Sequence, residues 1–193
     1  MLIGLTGKPL CGKTTIADVL IAEHGFLRYR FGQPMREMLG ALMRFRGADE
    51  VEIDRWLHVD KDQPCPWLDG QTARRGLQML GENWANAFDP AIWVNSLRDA
   101  LPRGARVVID DVRRPVEAAL ARELGGVVLR VEREGGFRAA PEIMAAQAHA
   151  AENHDVPADA TIDNSGSIEA SVSAVLAYVD VRPLSSAPPG LMG

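Results

Sequence analysis

Residues Gly7-Lys8-Pro9-Leu10-Cys11-Gly12-Lys13-Thr14 place two glycines, a lysine and a hydroxyl at the spacing G-x-x-x-x-G-K-[ST]. Glycine tolerates backbone angles that turn several N–H groups toward one point, and such a nest attracts an anion. Helical spacing begins at Lys13, so the free N–H groups and dipole of a helix start add to the same attraction. Lys13 is then placed to neutralise the β- and γ-phosphates of a nucleoside triphosphate, and the Thr14 hydroxyl to ligate Mg2+. This is a P-loop, and Gly7, Lys8, Cys11, Gly12, Lys13, Thr14 and Thr15 are its candidate ATP-binding residues. The motif requires a strand before it and a helix after it, and both are expected here. The competing reading, a glycine-rich turn with an incidental lysine, lacks a reason for that context. The chemistry needs no thiol, so Cys11 is read as a bystander.

A second group stands at Val107-Val108-Ile109-Asp110-Asp111-Val112-Arg113-Arg114-Pro115, with two acids and two arginines following a buried strand. In an open α/β sheet the carboxyl ends of the strands line the ligand crevice. An acid there can hold water on Mg2+, and paired guanidinium groups can clamp phosphate oxygens with two parallel hydrogen bonds. Asp111 is the candidate metal organiser beside Thr14, and Arg113 and Arg114 are candidates for charge stabilisation. The alternative is a turn built on Asp111 with the arginines on the surface.

The elements that must position these groups alternate. Strands are expected over 2–5, 26–31, 106–109, 126–131 and 160–162. Helices are expected over 13–24, 35–45, 48–57, 72–88, 90–101, 115–124 and 167–179. Residues 60–70 have turn chemistry throughout and read as a loop. The alternation implies an α/β domain with a mostly parallel sheet covered by helices on both faces. No repeat or linker is visible, so residues 1–180 read as one domain, with a lid-like segment near 133–155 and a Pro/Ser/Gly-rich disordered tail over 181–193.

Composition narrows the function classes. Net charge is −5, which does not favour wrapping nucleic acid, and the local arginine pairs suit a small anionic ligand better than a polymer. No apolar run reaches the roughly 18 residues of a membrane span, and residues 1–7 lack the character of a signal peptide, so the expected location is cytoplasmic. Two cysteines and four histidines show neither a disulfide framework nor metal-ligand spacing.

Four segments together resemble the phage-type deoxynucleoside monophosphate kinases and, more distantly, the animal phosphomevalonate kinases. They are the P-loop, the stretch Phe31-Gly32-Gln33-Pro34-Met35-Arg36-Glu37-Met38-Leu39, the stretch Leu77-Gln78-Met79-Leu80-Gly81 with Trp84 and Trp93-Val94, and the block Asp111-Val112-Arg113-Arg114-Pro115-Val116-Glu117. Ala151-Glu152-Asn153 and Ile162-Asp163-Asn164-Ser165-Gly166-Ser167-Ile168 are similar to two further stretches of that family. The chain departs from it at Pro9 and Leu10 inside the P-loop, and at Glu82, Asn83 and Asn86 after the third block.

The resemblance implies a three-layer P-loop kinase fold and transfer of the γ-phosphoryl of ATP, with Mg2+, to a (deoxy)nucleoside monophosphate. In a phage-encoded case the location would be the host cytoplasm. Such an acceptor is already ionised, so alignment and charge stabilisation matter more than a base. The implied roles are Lys13, Asp111, Arg113 and Arg114 in catalysis, and Arg133 and Arg138 in the lid. Arg36, Arg74, Arg75, Gln78 and Trp84 are candidates for the acceptor, although Trp84 also fits a core position and Arg36 an ordinary surface. The partners expected are small nucleotides, with a homodimer compatible with the sequence. Two other readings stay open: a hydroxyl acceptor of the dephospho-coenzyme A or modified-nucleotide kind, with Asp110 or Asp111 as base, and a non-catalytic ATP-binding regulator.

Overall fold

The computed structural model describes residues 1–134 and 156–181. These form two compact units, one of Met1–Arg30 with the chain from Leu101 onward, the other Phe31–Ala100.

In the first unit five strands lie in the order β2-β3-β1-β4-β5, every pair parallel. They are β1 (Leu2–Thr6), β2 (Leu27–Tyr29), β3 (Val107–Ile109), β4 (Val127–Glu132) and β5 (Ala160–Asp163). Both faces of a parallel sheet must be covered, because the connections run over them. Alternation along the strands divides the apolar residues accordingly. Ile3, Leu5, Leu129 and Val131 face Ile16 and Leu20 of α1 (Lys13–His24), and Val172 and Val175 of the C-terminal helix Ile168–Asp180 in one buried cluster. On the opposite face, Gly4 lies close to the side chains of Val112 and Val128, and the helix Pro115–Glu123, with buried Ala118, Leu120 and Ala121, packs against β1 and β4. The result is a three-layer α/β arrangement.

Because all strands run the same way, their carboxyl ends lie along one edge of the sheet. The loop 7–12 leaves β1 there, Arg30 follows β2, Asp110 follows β3, and Asn164 follows β5. The edge therefore gathers residues from distant parts of the sequence.

The second unit is helical: α2 (Gln33–Phe45), α3 (Glu50–Asp54), α4 (Ala73–Met79), α5 (Ala85–Ala87) and α6 (Ile92–Ala100). Leu39, Met43, Ile53, Leu57, Cys65 and Ala73 form its core, with Trp56, Trp67, Leu77 and Leu80 packed around them. Caps set the helix starts. Asp49 and Glu52 exchange side-chain and backbone hydrogen bonds at α3 (2.8 and 3.1 Å), and the Thr72 hydroxyl accepts from Arg75 N at α4 (3.2 Å). With these elements named, the helix Pro115–Glu123 is α7 and Ile168–Asp180 is α8.

Two expectations change here. Residues 60–70 are not loop throughout, since they hold a 3-10 turn at Pro66–Leu68 and end near a bridge between Pro64 and Thr72. The helix expected over 72–88 is interrupted by a π-helical turn at Leu80–Trp84. An i→i+5 turn shifts the helical phase of the residues beyond it. Trp84 is therefore not aligned with Leu77 and Leu80 in the core but 38% exposed. Trp93, by contrast, is buried and donates its indole N–H to the Gly81 carbonyl at 3.0 Å.

Among the described residues no helix is long and apolar enough to cross a membrane. Arg138, most of the expected lid and residues 182–193 lie outside the described residues.

Candidate phosphate-binding site

The loop after β1 turns on residues with positive φ: Gly7 at 136°, Leu10 at 63° and Gly12 at 99°. Two of these positions admit no side chain. A Cβ on Gly7 would collide with the Val131 carbonyl oxygen, and one on Gly12 with the Asn164 amide nitrogen. Strand β4 and the residue after β5 thus demand the two glycines as much as the loop's own angles do. Gly12 caps α1, and Ile16 N donates to its carbonyl at 3.0 Å. Thr14 and Thr15 are exposed at the first turn, and Lys8 is exposed on the loop.

Lys13 folds its ammonium back over the loop, donating to the carbonyls of Gly7 (2.9 Å) and Lys8 (2.8 Å), with Cys11 Sγ at 3.5 Å. Burial holds the Lys13 pKa below the usual lysine range, and the nearby Arg113 charge adds to that, against the raising influence of Cys11 and Asp110. An ammonium in that condition gains from an added anion. Gly7, Gly12 and Lys13 thus fit a polyphosphate, and the Thr14 hydroxyl fits a metal that arrives with it. Among the described residues no three His, Cys, Asp or Glu side chains gather as a metal site. A Mg2+ ion held largely by phosphates needs only one or two protein oxygens.

The second constellation adjoins the first. Val112 N donates to the Leu5 carbonyl at 3.3 Å, fixing the start of the arginine pair to the strand that carries the loop. Arg113 and Arg114 are exposed, and their backbone N–H groups both donate to Glu117 Oε2, at 2.7 and 3.0 Å. Glu117 is buried, and burial, with the Asp111 charge adding to it, pushes its pKa up to about 7 despite those two amides.

The two acids differ. Asp111 is half-buried, whereas Asp110 is the deeply buried one, its side chain 1% exposed. Arg30 at the end of β2 engages Asp110 through both oxygens, Nε to Oδ1 and Nη2 to Oδ2, each at 2.7 Å. Arg28 Nε lies 3.5 Å from Oδ2, within ion-pair reach but without hydrogen-bond alignment, while its Nη2 donates to Asp18 at 2.7 Å. Burial alone would raise the Asp110 pKa, yet the Arg30 hydrogen bonds and charge hold it below the usual carboxylate range.

The acceptor candidates all belong to the second unit. Arg74 is committed to a two-pronged pair with Asp62, while Arg75 and Gln78 are exposed and Arg36 is half-buried. Trp84 has Phe88 beside it (ring centroids 5.2 Å apart) and Trp93 stacked on it (6.3 Å). Arg133 is exposed just after β4.

Sequence alone does not single out Arg28, Arg30, Glu117, Asn164 or Ser171. For Glu117 and Asn164 the signal is membership of a motif without a role. For the two β2 arginines it is the pattern Arg28-Tyr29-Arg30 at a strand end.

Compared with known proteins, the chain is 32% identical over 149 residues to a protein of Acanthamoeba polyphaga mimivirus described as "Putative deoxynucleotide monophosphate kinase". The match covers 70% of this chain and 75% of that protein. This chain belongs to the deoxynucleotide monophosphate kinase family. The kinase matches no protein-family profile. Its fold is similar to that of TT1252 from Thermus thermophilus, with a TM-score of 0.51 and 17% identity, covering 95% of this chain and 98% of the other. A dephospho-CoA kinase from Campylobacter jejuni aligns over 92% of this chain and 96% of its own at a TM-score of 0.49 and 14% identity. The kinase has the P-loop kinase fold, and phosphoryl transfer is the activity of its family.

Proposed function

We propose that the kinase moves the γ-phosphoryl of ATP to the phosphate of a deoxynucleoside monophosphate, giving ADP and the diphosphate. The observation that carries this reading is the state of Asp110. A hydroxyl acceptor wants a carboxylate base near the reacting oxygen. The buried acid at this strand end is charge-paired with Arg30 and held below the usual carboxylate range, which makes it a poor base. A monophosphate brings its own charged oxygen and needs no base. The name of the mimivirus relative supports the same acceptor class.

In this reading the amides of the 7–12 loop and Lys13 hold the β- and γ-phosphates. An acceptor phosphate oxygen forms a bond to the γ-phosphorus while the bond to the β-bridging oxygen breaks. Charge on the transferring group spreads over its outer oxygens, where Arg113 and Arg114 donate. Thr14, with Asp111 acting through water, would hold Mg2+, which supplies further charge neutralisation. In the second unit, exposed Arg75 and Gln78 serve the acceptor nucleotide, and Trp84 offers its base a stacking face. Arg36 and Arg74 stay assigned there, Arg74 in the weaker role its pairing with Asp62 leaves. Arg133, with Arg138, is assigned to closing over the phosphates.

An acceptor screen read by ADP release tests the proposal. ADP should form with one or more deoxynucleoside monophosphates and Mg2+. Turnover with alcohol acceptors and none with any monophosphate would overturn it, as would ATP binding without transfer.

A further inference from the structure

Asn164, the residue after β5, is buried, and its backbone N–H and both side-chain polar atoms are hydrogen-bonded. Its backbone N–H donates to the Glu132 carbonyl at 2.7 Å, its amide Nδ2 donates to the Cys11 carbonyl at 2.8 Å, and its Oδ1 accepts from Ser171 Oγ at 2.8 Å. Ser171 is buried on α8, and its hydroxyl, which also lies 3.2 Å from the Asp163 carbonyl and 3.3 Å from the Ser167 carbonyl, holds the oxygen end of the amide. The Cys11 carbonyl can only accept, so the nitrogen must face the loop and the oxygen Ser171. That nitrogen also fills the space where a side chain on Gly12 would stand.

A carbonyl turned outward toward a buried donor leaves its peptide plane fixed, and with it the next N–H. Cys11 O and Gly12 N share one peptide plane, so a hydrogen bond on the first orients the second. Gly12 N is the last loop amide before the helix start. The contact therefore bears on the part of the loop that must converge on the phosphates, from a residue more than 150 positions away in the chain.

We infer that Asn164, held in place by Ser171, is a positioning residue that keeps the Cys11–Gly12 peptide in its phosphate-binding orientation before ATP arrives. This rests on the donor-site reading above. A cradle preformed in this way loses little conformational freedom on binding, and preorganisation of that kind appears as affinity. Asn164 does not itself touch the phosphates in this assignment. Its removal should act on the donor and spare the acceptor.

The test uses the full chain and a non-hydrolysable ATP analogue with Mg2+, titrated calorimetrically, beside steady-state kinetics. Asn164→Ala should weaken analogue binding and raise the ATP KM about tenfold, the scale of a lost buried hydrogen bond with its freed peptide. The acceptor KM should stay within about twofold of the parent in the same variant. Ser171→Ala, which keeps the amide but removes the partner that anchors its oxygen, should give the same donor-only pattern at about threefold. It stands in if Asn164→Ala does not fold. Unchanged analogue affinity in both variants, or a parallel rise of donor and acceptor KM, would overturn the inference. Failure of the unaltered chain to bind the analogue would instead remove the donor-site reading on which it rests.

Discussion

The loop 7–14 and the segment 73–93 are both assigned to phosphate-bearing ligands, yet they are held in different ways. The loop is clasped by buried polar groups from other elements. The Val131 carbonyl stands over Gly7, Asn164 bonds to Cys11, and Asp110 is locked by Arg30 nearby. The segment in the second unit relies on local caps and exposed pairs. Thr72 caps its first helix, Asp62 takes Arg74, and Trp84 leans on Phe88 and Trp93 at the surface. Phosphate looks the same on every nucleotide, so a rigid cradle for it costs no versatility. A surface that must suit a particular base and sugar has more use for exposed side chains that can be exchanged without unfolding the unit.

Lys13→Ala should break the comparison most severely. Removing one preorganised charge from the transferring group costs about 10²–10³-fold in kcat, read as ADP release, and near-normal turnover would remove Lys13 from its role. Next is Arg30→Ala, which leaves Asp110 buried with Arg28 as the remaining ion-pair partner among the described residues. Breaking one partner of a buried pair costs about 3 kcal/mol, to be read from urea unfolding, and a loss below about 1 kcal/mol would show that Arg28 suffices.

Glu117 gives a pH-dependent test. Its folded pKa of about 7 lies above the ordinary 4.5, so the folded state holds this proton more tightly than the unfolded chain does. The stabilisation is complete below the unfolded value and is lost as pH rises through about 7, with a total on the order of 3 kcal/mol. Glu117→Gln keeps an oxygen for the Arg113 and Arg114 amides and cannot titrate. The fall in stability between pH 5 and 8 should therefore be smaller by that amount than in the parent, and identical slopes would refute the assignment. Trp84→Ala should have the smallest effect. Loss of a stacking face worth about 1 kcal/mol raises the acceptor KM about fivefold and leaves the ATP KM alone. A shift in the ATP KM instead would separate Trp84 from the acceptor.

Much of the local fold around the 7–14 loop was legible because its determinants are contiguous. Eight residues carry the cradle, and the flanking strand and α1 are set by apolar spacing alone. The span of α1 is the same in sequence and structure, since Gly12 and Gly25 mark both its ends with positive φ. The bracing of the cradle was not legible, because Asn164 and Glu132 reach it, as Arg30 reaches Asp110, only through the order of strands in the sheet. A sequence pattern shows that β5 exists but not that the residue after it meets Cys11. The exposure of Trp84, which also fitted a core position, has a local cause. An unbroken 3.6-residue period over 72–88 would set it beside Leu77 and Leu80, and a π-helical turn carries no periodicity signal of its own. Asp110 and Asp111 are adjacent at a strand end, so pattern alone could not say which would be sealed in. Only the arginines on β2 decide it.

The clasp on the loop acts on main-chain atoms and on absent side chains, at Cys11 O, Gly7 and Gly12. Lys8, Pro9 and Leu10 stand exposed between those anchor points, and what they add to the constraint is main-chain too: the Lys8 carbonyl on Lys13 and the positive φ of Leu10. The stretch is thus fixed in shape while its outward chemistry is left open, so related chains can vary positions 8–10 in charge and bulk without altering how the cradle grips its ligand. Leu10 is the residue there with an unfavourable backbone angle, and it is where substitution by glycine or asparagine would relax the chain rather than disturb it.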